Sequence, residues 1–210
     1  MHDQMSLPGL DAMPTLFQPE VLHGNPGKLL GYNLFLAIVP LPAEAQRFSL
    51  IGGELRRRHG LTHPCLRTEH LHMTLHALAG YADTIPQADI DAAKAAAASV
   101  VCPPLPVVFD SALSFINHGQ PDNNAYVLRC DAHSDAGVTK LRQALGLALR
   151  RVGLLHAKPT STPHMTVLYD RRVVAAHAIE PLRWTATRFT LILSHQGLTH
   201  HEWIGEWPFA

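Results

Sequence analysis

Two triplets in the chain join a proton-transfer group to a hydroxyl: His72-Met73-Thr74 and His164-Met165-Thr166. An imidazole titrates near pH 6.5, so of two such rings one can be neutral and accept a proton while the other is charged and donates one. Threonine hydroxyls donate hydrogen bonds to anionic oxygens and steady developing charge without a metal ion. Along a strand alternate side chains share a face, so each triplet offers its histidine and threonine on one side and is anchored by an apolar residue on the other. The chemistry that fits is acid–base attack on an anionic ester held between two walls.

A chain of 15 histidines will contain His-x-Thr by chance, and context supplies the specificity. Arg57-Arg58-His59-Gly60-Leu61-Thr62-His63 and Arg150-Arg151-Val152-Gly153-Leu154-Leu155-His156 agree at five of seven positions, and each precedes one of the triplets. Helix, glycine stop, short loop and His-x-Thr strand therefore occur twice, which reads as an internal duplication. Two similar lobes would bring two similar strands face to face.

The elements that must position these strands are legible in outline. Tyr32 to Pro40 is a buried strand, and a helix follows from about residue 43 to 59 with Phe48, Ile51 and Leu55 on one face. Residues 69–78 read as a strand, 87–101 as an alanine-rich helix, and 107–117 with 124–131 as a hairpin. Val138, Leu141, Leu145, Leu149 and Val152 mark a second amphipathic helix, closed by Gly153 as the first is by Gly60. Residues 162–170, 183–195 and 199–207 read as three strands. Helices scattered among hairpins make this an α+β chain. Residues 1–30, rich in proline and glycine without periodicity, are expected to be a flexible arm before one bilobal domain at 31–210.

At 210 residues, with 47 % hydrophobic and 16 % charged residues, the chain is expected to fold around one sizeable core. Lys and Arg number 17, as do Asp and Glu, so no broad cationic surface exists for long nucleic acid. Small or terminal substrates fit better. Cys65, Cys102 and Cys130 form no pair pattern, and no export signal or membrane span is visible, so a cytoplasmic monomer without a membrane partner is expected.

The twin motifs HMTL at 72–75 and HMTV at 164–167 resemble the signature of the two-histidine (2H) phosphoesterase superfamily, nearest its 2′-5′ RNA ligase-like branch. The opening strand ending at Val39-Pro40, the PHMTVLYD stretch, RFTLILSHQG and the closing WPF extend the resemblance over about residues 32–209. It implies two antiparallel sheets with outer helices around a central cleft, His72 and His164 as catalytic pair, and Thr74 and Thr166 as phosphate ligands. Many relatives carry an arginine three residues after the second threonine, where this chain has Tyr169; Arg171 lies near. Tyr169, Arg171 and His195 are further candidates for the cleft.

The implied activity is metal-independent hydrolysis of 2′,3′-cyclic phosphates at RNA 3′ ends or on small cyclic nucleotides. The product would be a 2′-phosphate, with weak reverse 2′-5′ joining and no cofactor. Strand order favours His72 as acid and His164 as base, and pseudo-symmetry leaves the reverse open. Two alternatives stand beside it: a nucleotide or RNA-end binding module with little catalysis, and a metal hydrolase built on His70, His72 and His76.

Overall fold

A computed structural model describes residues 31–154, 158–159, 162–196, 198 and 200–210. The expected arm at 1–30 and His156 of the second repeat copy lie outside them. β1 (Tyr32–Ile38) is the apolar run, and Pro42 opens α1 (Pro42–Arg58) at its first turn, where a missing N–H costs no helical bond. Beyond α1, Gly60 adopts φ +62 and Leu61 N–H donates to the Arg56 carbonyl at 3.0 Å. α3 (Ala132–Arg151) ends identically, with Gly153 at φ +88 and Leu154 N–H on the Leu149 carbonyl at 3.0 Å. Both stops are glycine because the chain leaves each helix through a left-handed residue.

The remaining strands are β2 (Met73–Tyr81), β3 (Leu105–Phe115), β4 (Asn124–Cys130), β5 (Lys158–Pro159), β6 (His164–Asp170), β7 (His177–Ala186), β8 (Arg188–His195) and β9 (His200–Pro208), with α2 at Gln87–Ala98. They form two sheets, in the order β5-β2-β1-β8-β9 and β6-β4-β3-β7, and every pairing is antiparallel. The α+β class expected from the sequence is the class observed.

Two expected strands are corrected. Glu69 and His70 lie in a 3₁₀ turn (Thr68–His70), and β2 starts only at Met73. The single strand at 183–195 is two strands that break at Thr187, with β7 in the four-stranded sheet and β8 in the five-stranded one. Residues 184–190 contain neither proline nor glycine, so no turn signal marks the change of partner.

The helices cross between lobes. Phe48 of α1 packs edge-on against Phe109 of β3 at 5.7 Å and Trp184 of β7 at 5.6 Å, so the helix that follows β1 covers the other sheet. α3 reciprocates: its Arg142 carbonyl bonds Nε2 of His76 on β2 at 2.7 Å. Gly146 lets the two elements approach, since a Cβ there would stand 3.2 Å from the His76 ring. The exchange merges Leu36, Phe109 and Leu145 into one buried core. A second, small cluster of Phe35, Ala37, Val39 and Ile192 occupies the opposite face of the five-stranded sheet.

Candidate active site

The two triplets are positioned by the same backbone irregularity. In β2, Ala37 faces Thr74 while Leu36 faces His76, so Leu75 is an extra residue. Leu75 and His76 both turn into the core, and Thr74 and Ala77 share the face of Ala37 and Phe35. In β6, Val127 faces Thr166 and Tyr126 faces Leu168, making Val167 the extra residue and returning Tyr169 to the face of Thr166. Each bulge falls at the same offset from its histidine. The segments ahead of the triplets cross over as well: Cys65 bridges Leu168, and Pro159 pairs with His76.

The histidines are held alike. Nδ1 of His72 lies 2.7 Å from the His70 carbonyl, and Nδ1 of His164 lies 2.7 Å from the Thr162 carbonyl. A carbonyl only accepts, so each Nδ1 carries the proton and each Nε2 is left for proton transfer. Each ring also rests on a phenyl group, Phe35 at 5.1 Å from His72 and Phe115 at 4.8 Å from His164. Burial is the first cause holding both imidazoles below their ordinary value. For His164 it brings the pKa down to about 4, helped by the charges of Arg142 and His72 and opposed by the Thr162 hydrogen bond. His72 therefore lies near enough to His164 for one charge to disfavour the other.

Thr74 is buried and Thr166 half-buried, each on the face of its histidine. Tyr169 joins them, its hydroxyl pushed up by burial against the effect of a hydrogen bond with Thr166. Two other candidates belong elsewhere. His195 pairs with Tyr32 and shares the Leu34 and Leu193 side of the sheet, the face turned away from Phe35 and His72, because it stands three positions, an odd offset, from Ile192. Arg171 follows the end of β6 in an exposed turn, where its carbonyl accepts from Asn124.

The alternative built on His70, His72 and His76 fails for a structural reason. The bulge sends His76 into the core, and its Nε2 is engaged by α3.

Two residues absent from the sequence-based candidates lie against the triplets. His201 packs at 4.7 Å from the His70 ring and 5.6 Å from the His72 ring, and burial with those neighbours brings its pKa to about 4. It pairs with Ser194, and both lie two positions from the paired Ile192 and Trp203, which puts His201 on the face of Ile192 and Phe35. Arg142 is buried and donates from Nη2 to the Thr74 carbonyl at 2.8 Å, and burial lowers its pKa to about 10. A charged residue inside the apolar stripe of Val138, Leu141, Leu145 and Leu149 was the signal.

Across residues 41–198 the chain matches the model of the 2′-5′ RNA ligase superfamily. The chain belongs to that superfamily. It is the family of the two-histidine phosphoesterases, and both His-x-Thr triplets lie within the matched residues. Among solved structures the chain is similar to E. coli LigT in complex with 3′-AMP, at 20 % identity and TM-score 0.60 over 85 % of this chain and 98 % of that one. A protein solved simply as a phosphoesterase gives 20 % identity and TM-score 0.59 over 86 % and 99 %. The protein TT0787 of Thermus thermophilus gives 15 % and 0.60 over 84 % and 97 %. At these identities the likeness establishes the fold, which is that of a LigT-like 2H phosphoesterase. No curated protein matches.

Proposed function

We propose that this 2H phosphoesterase hydrolyses 2′,3′-cyclic phosphates at RNA 3′ ends or on small nucleotides, with His164 as general base and His72 as general acid. The observation that carries the reading is the duplicated His geometry: two imidazoles, each with Nδ1 tied to the carbonyl two residues back and Nε2 left to work. His164 takes a proton from water as the water oxygen bonds to phosphorus. The bond from phosphorus to O3′ breaks, and His72 gives its proton to that leaving oxygen, yielding a 2′-phosphate. Arg142 disfavours the charged form of His164, which supports giving it the base role. Thr74 and Thr166 donate to the nonbridging oxygens, and Tyr169 stands where many relatives carry an arginine.

Both imidazoles are below their ordinary value in the free protein, so the substrate's negative charge supplies part of what keeps the acid protonated. Structures of LigT with 3′-AMP, with ATP and with NADP+ are consistent with a nucleotide-sized ligand in such a cleft. Among the described residues no helix is long and apolar enough to cross a membrane.

The test is product analysis with 2′,3′-cyclic nucleotides and with RNA bearing that end, in excess chelator. Formation of 2′-monoesters supports the reading. Tight nucleotide binding without turnover would replace it with the binding-module alternative.

A further inference from the structure

We propose that His195, His200 and Glu202 form a binding site for a divalent metal ion of zinc type, on the face of the β8–β9 hairpin turned away from His72. The proposal is independent of the phosphoesterase reaction. It starts from register: His195 and His200 are directly paired across the two strands, and Glu202 pairs with Leu193, two residues from His195 on the same face. Backbone pairing alone therefore brings two imidazoles and a carboxylate together.

The side chains converge as that register requires. Their ligand atoms all lie within 4.8 Å of one another, and the two imidazole rings are 4.9 Å apart. Both approach one carboxylate oxygen, Nε2 of His195 at 2.5 Å and Nε2 of His200 at 3.7 Å from Oε1 of Glu202. A hydrogen bond accounts for the first contact. It does not account for the second, which is too long for one.

Zinc bonds of about 2.0–2.2 Å place tetrahedral ligand atoms about 3.3 Å apart, and the two observed separations bracket that spacing, so small side-chain rotations admit the ion. Two nitrogens and one oxygen suit zinc better than magnesium or calcium, which take oxygen cages. One carboxylate leaves the bound ion a net positive charge and a fourth position open to water.

The consequence reaches the other face of the sheet. His200 and Glu202 flank His201, and strand alternation points His201 the opposite way, onto His70 and His72. An ion bridging β8 and β9 fixes the backbone on both sides of His201.

The experiment is zinc titration of the untagged full chain by competition with a chromophoric chelator, with cobalt(II) absorption as a reporter of tetrahedral ligation and thermal melting alongside. The parent is expected to bind one zinc at this site and to melt at higher temperature with it. His200→Ala and Glu202→Gln, both exposed positions, should each weaken that binding about tenfold or more, as even lost outer-shell partners do elsewhere. His118→Ala, an exposed loop histidine, should change neither. Unaltered zinc affinity in both His200→Ala and Glu202→Gln, with their folds confirmed by circular dichroism, overturns the proposal. Absence of saturable binding to the parent overturns it equally, leaving the trio an ion pair only.

Discussion

The strands β2 and β6 share one backbone plan and differ in almost everything that surrounds it. Both carry His-x-Thr, both tie Nδ1 to the carbonyl two residues earlier, and both insert one residue after the threonine. Five residues beyond the histidine, however, β2 returns Ala77 to the shared face while β6 returns Tyr169. One residue further, β2 has Leu78 in the core and β6 has Asp170. His72 neighbours two other imidazoles, whereas His164 neighbours a buried guanidinium. The backbone geometry is common to both strands, and under the proposed mechanism it is the neighbours that distinguish two residues of one type.

The comparison is broken most directly by removing the shared part. His72→Ala and His164→Ala should each lower turnover by about a hundredfold to ten-thousandfold, the range for a positioned acid or base. Removing both should cost less than the product of the two losses, because an acid without its base contributes little. Steady-state kinetics on a cyclic nucleotide checks this, and full activity of either single variant in excess chelator would sink the mechanism.

Asp170, which β2 lacks, should matter to the fold and little to the chemistry. Its buried carboxylate accepts from Thr62 N–H at 2.6 Å, His63 N–H at 2.9 Å and Arg172 N–H at 2.9 Å, pinning the loop after α1 to the end of β6. Burial works to raise its pKa, and these hydrogen bonds outweigh it, holding the carboxyl well below the usual range. A depressed carboxylate stabilises above its unfolded value of about 3.9 and loses that contribution as pH falls through the folded value. Asp170→Ala should cost roughly 3 kcal/mol in denaturant unfolding at neutral pH, since it strands several buried donors. A loss under a third of that would show the loop held by other contacts.

What the sequence made legible in these two regions is the part that repeats. The His-x-Thr triplets, Gly60 and Gly153, and the amphipathic helices before them all follow local rules of period and capping. A bulge does not: Leu75 and Val167 are ordinary apolar strand residues in the sequence, yet their insertion decides that His76 faces the core and that Tyr169 returns to the face of Thr166. Crossed helices and the β7–β8 division are equally silent, since Phe48 is simply apolar whichever sheet it covers. His201 reads as one more polar residue on an edge strand, and only its packing across Phe35 and His70 brings it to His72. His195 illustrates the same limit, because one position of register separates the site from the opposite face.

The threonines sharpen the comparison at a smaller scale. Thr74→Ala and Thr166→Ala each remove one donor to an anionic oxygen, and a hydrogen bond to a charged group is worth about tenfold to a hundredfold. Equal losses would mean the two walls hold the phosphate equally. A smaller loss for Thr166, whose neighbour Tyr169 can donate in its place, would mean they do not. Tyr169→Phe in the Thr166→Ala background separates these outcomes through its effect on KM.

The smallest effect tests how the neighbours divide the labour. Catalysis needs one imidazole charged and one neutral, and that form of the pair is most populated between its two apparent pKa values. Burial holds both below the ordinary 6.5, so kcat/KM should peak on the acid side of 6.5. Arg142→Met removes a cation that disfavours charged His164, so the His164 ring should titrate at higher pH while His72 moves little. His201→Ala opens the other ring to water, relieving the burial that lowers His72, and should raise the His72 value instead. Turnover in either variant should change only a few fold, because neither residue is assigned a proton in the reaction. NMR titration of the two imidazole Cε1–H signals reads the shifts directly. If both variants move the same ring, or move both rings equally, the surroundings do not distinguish acid from base, and the assignment rests on symmetry alone.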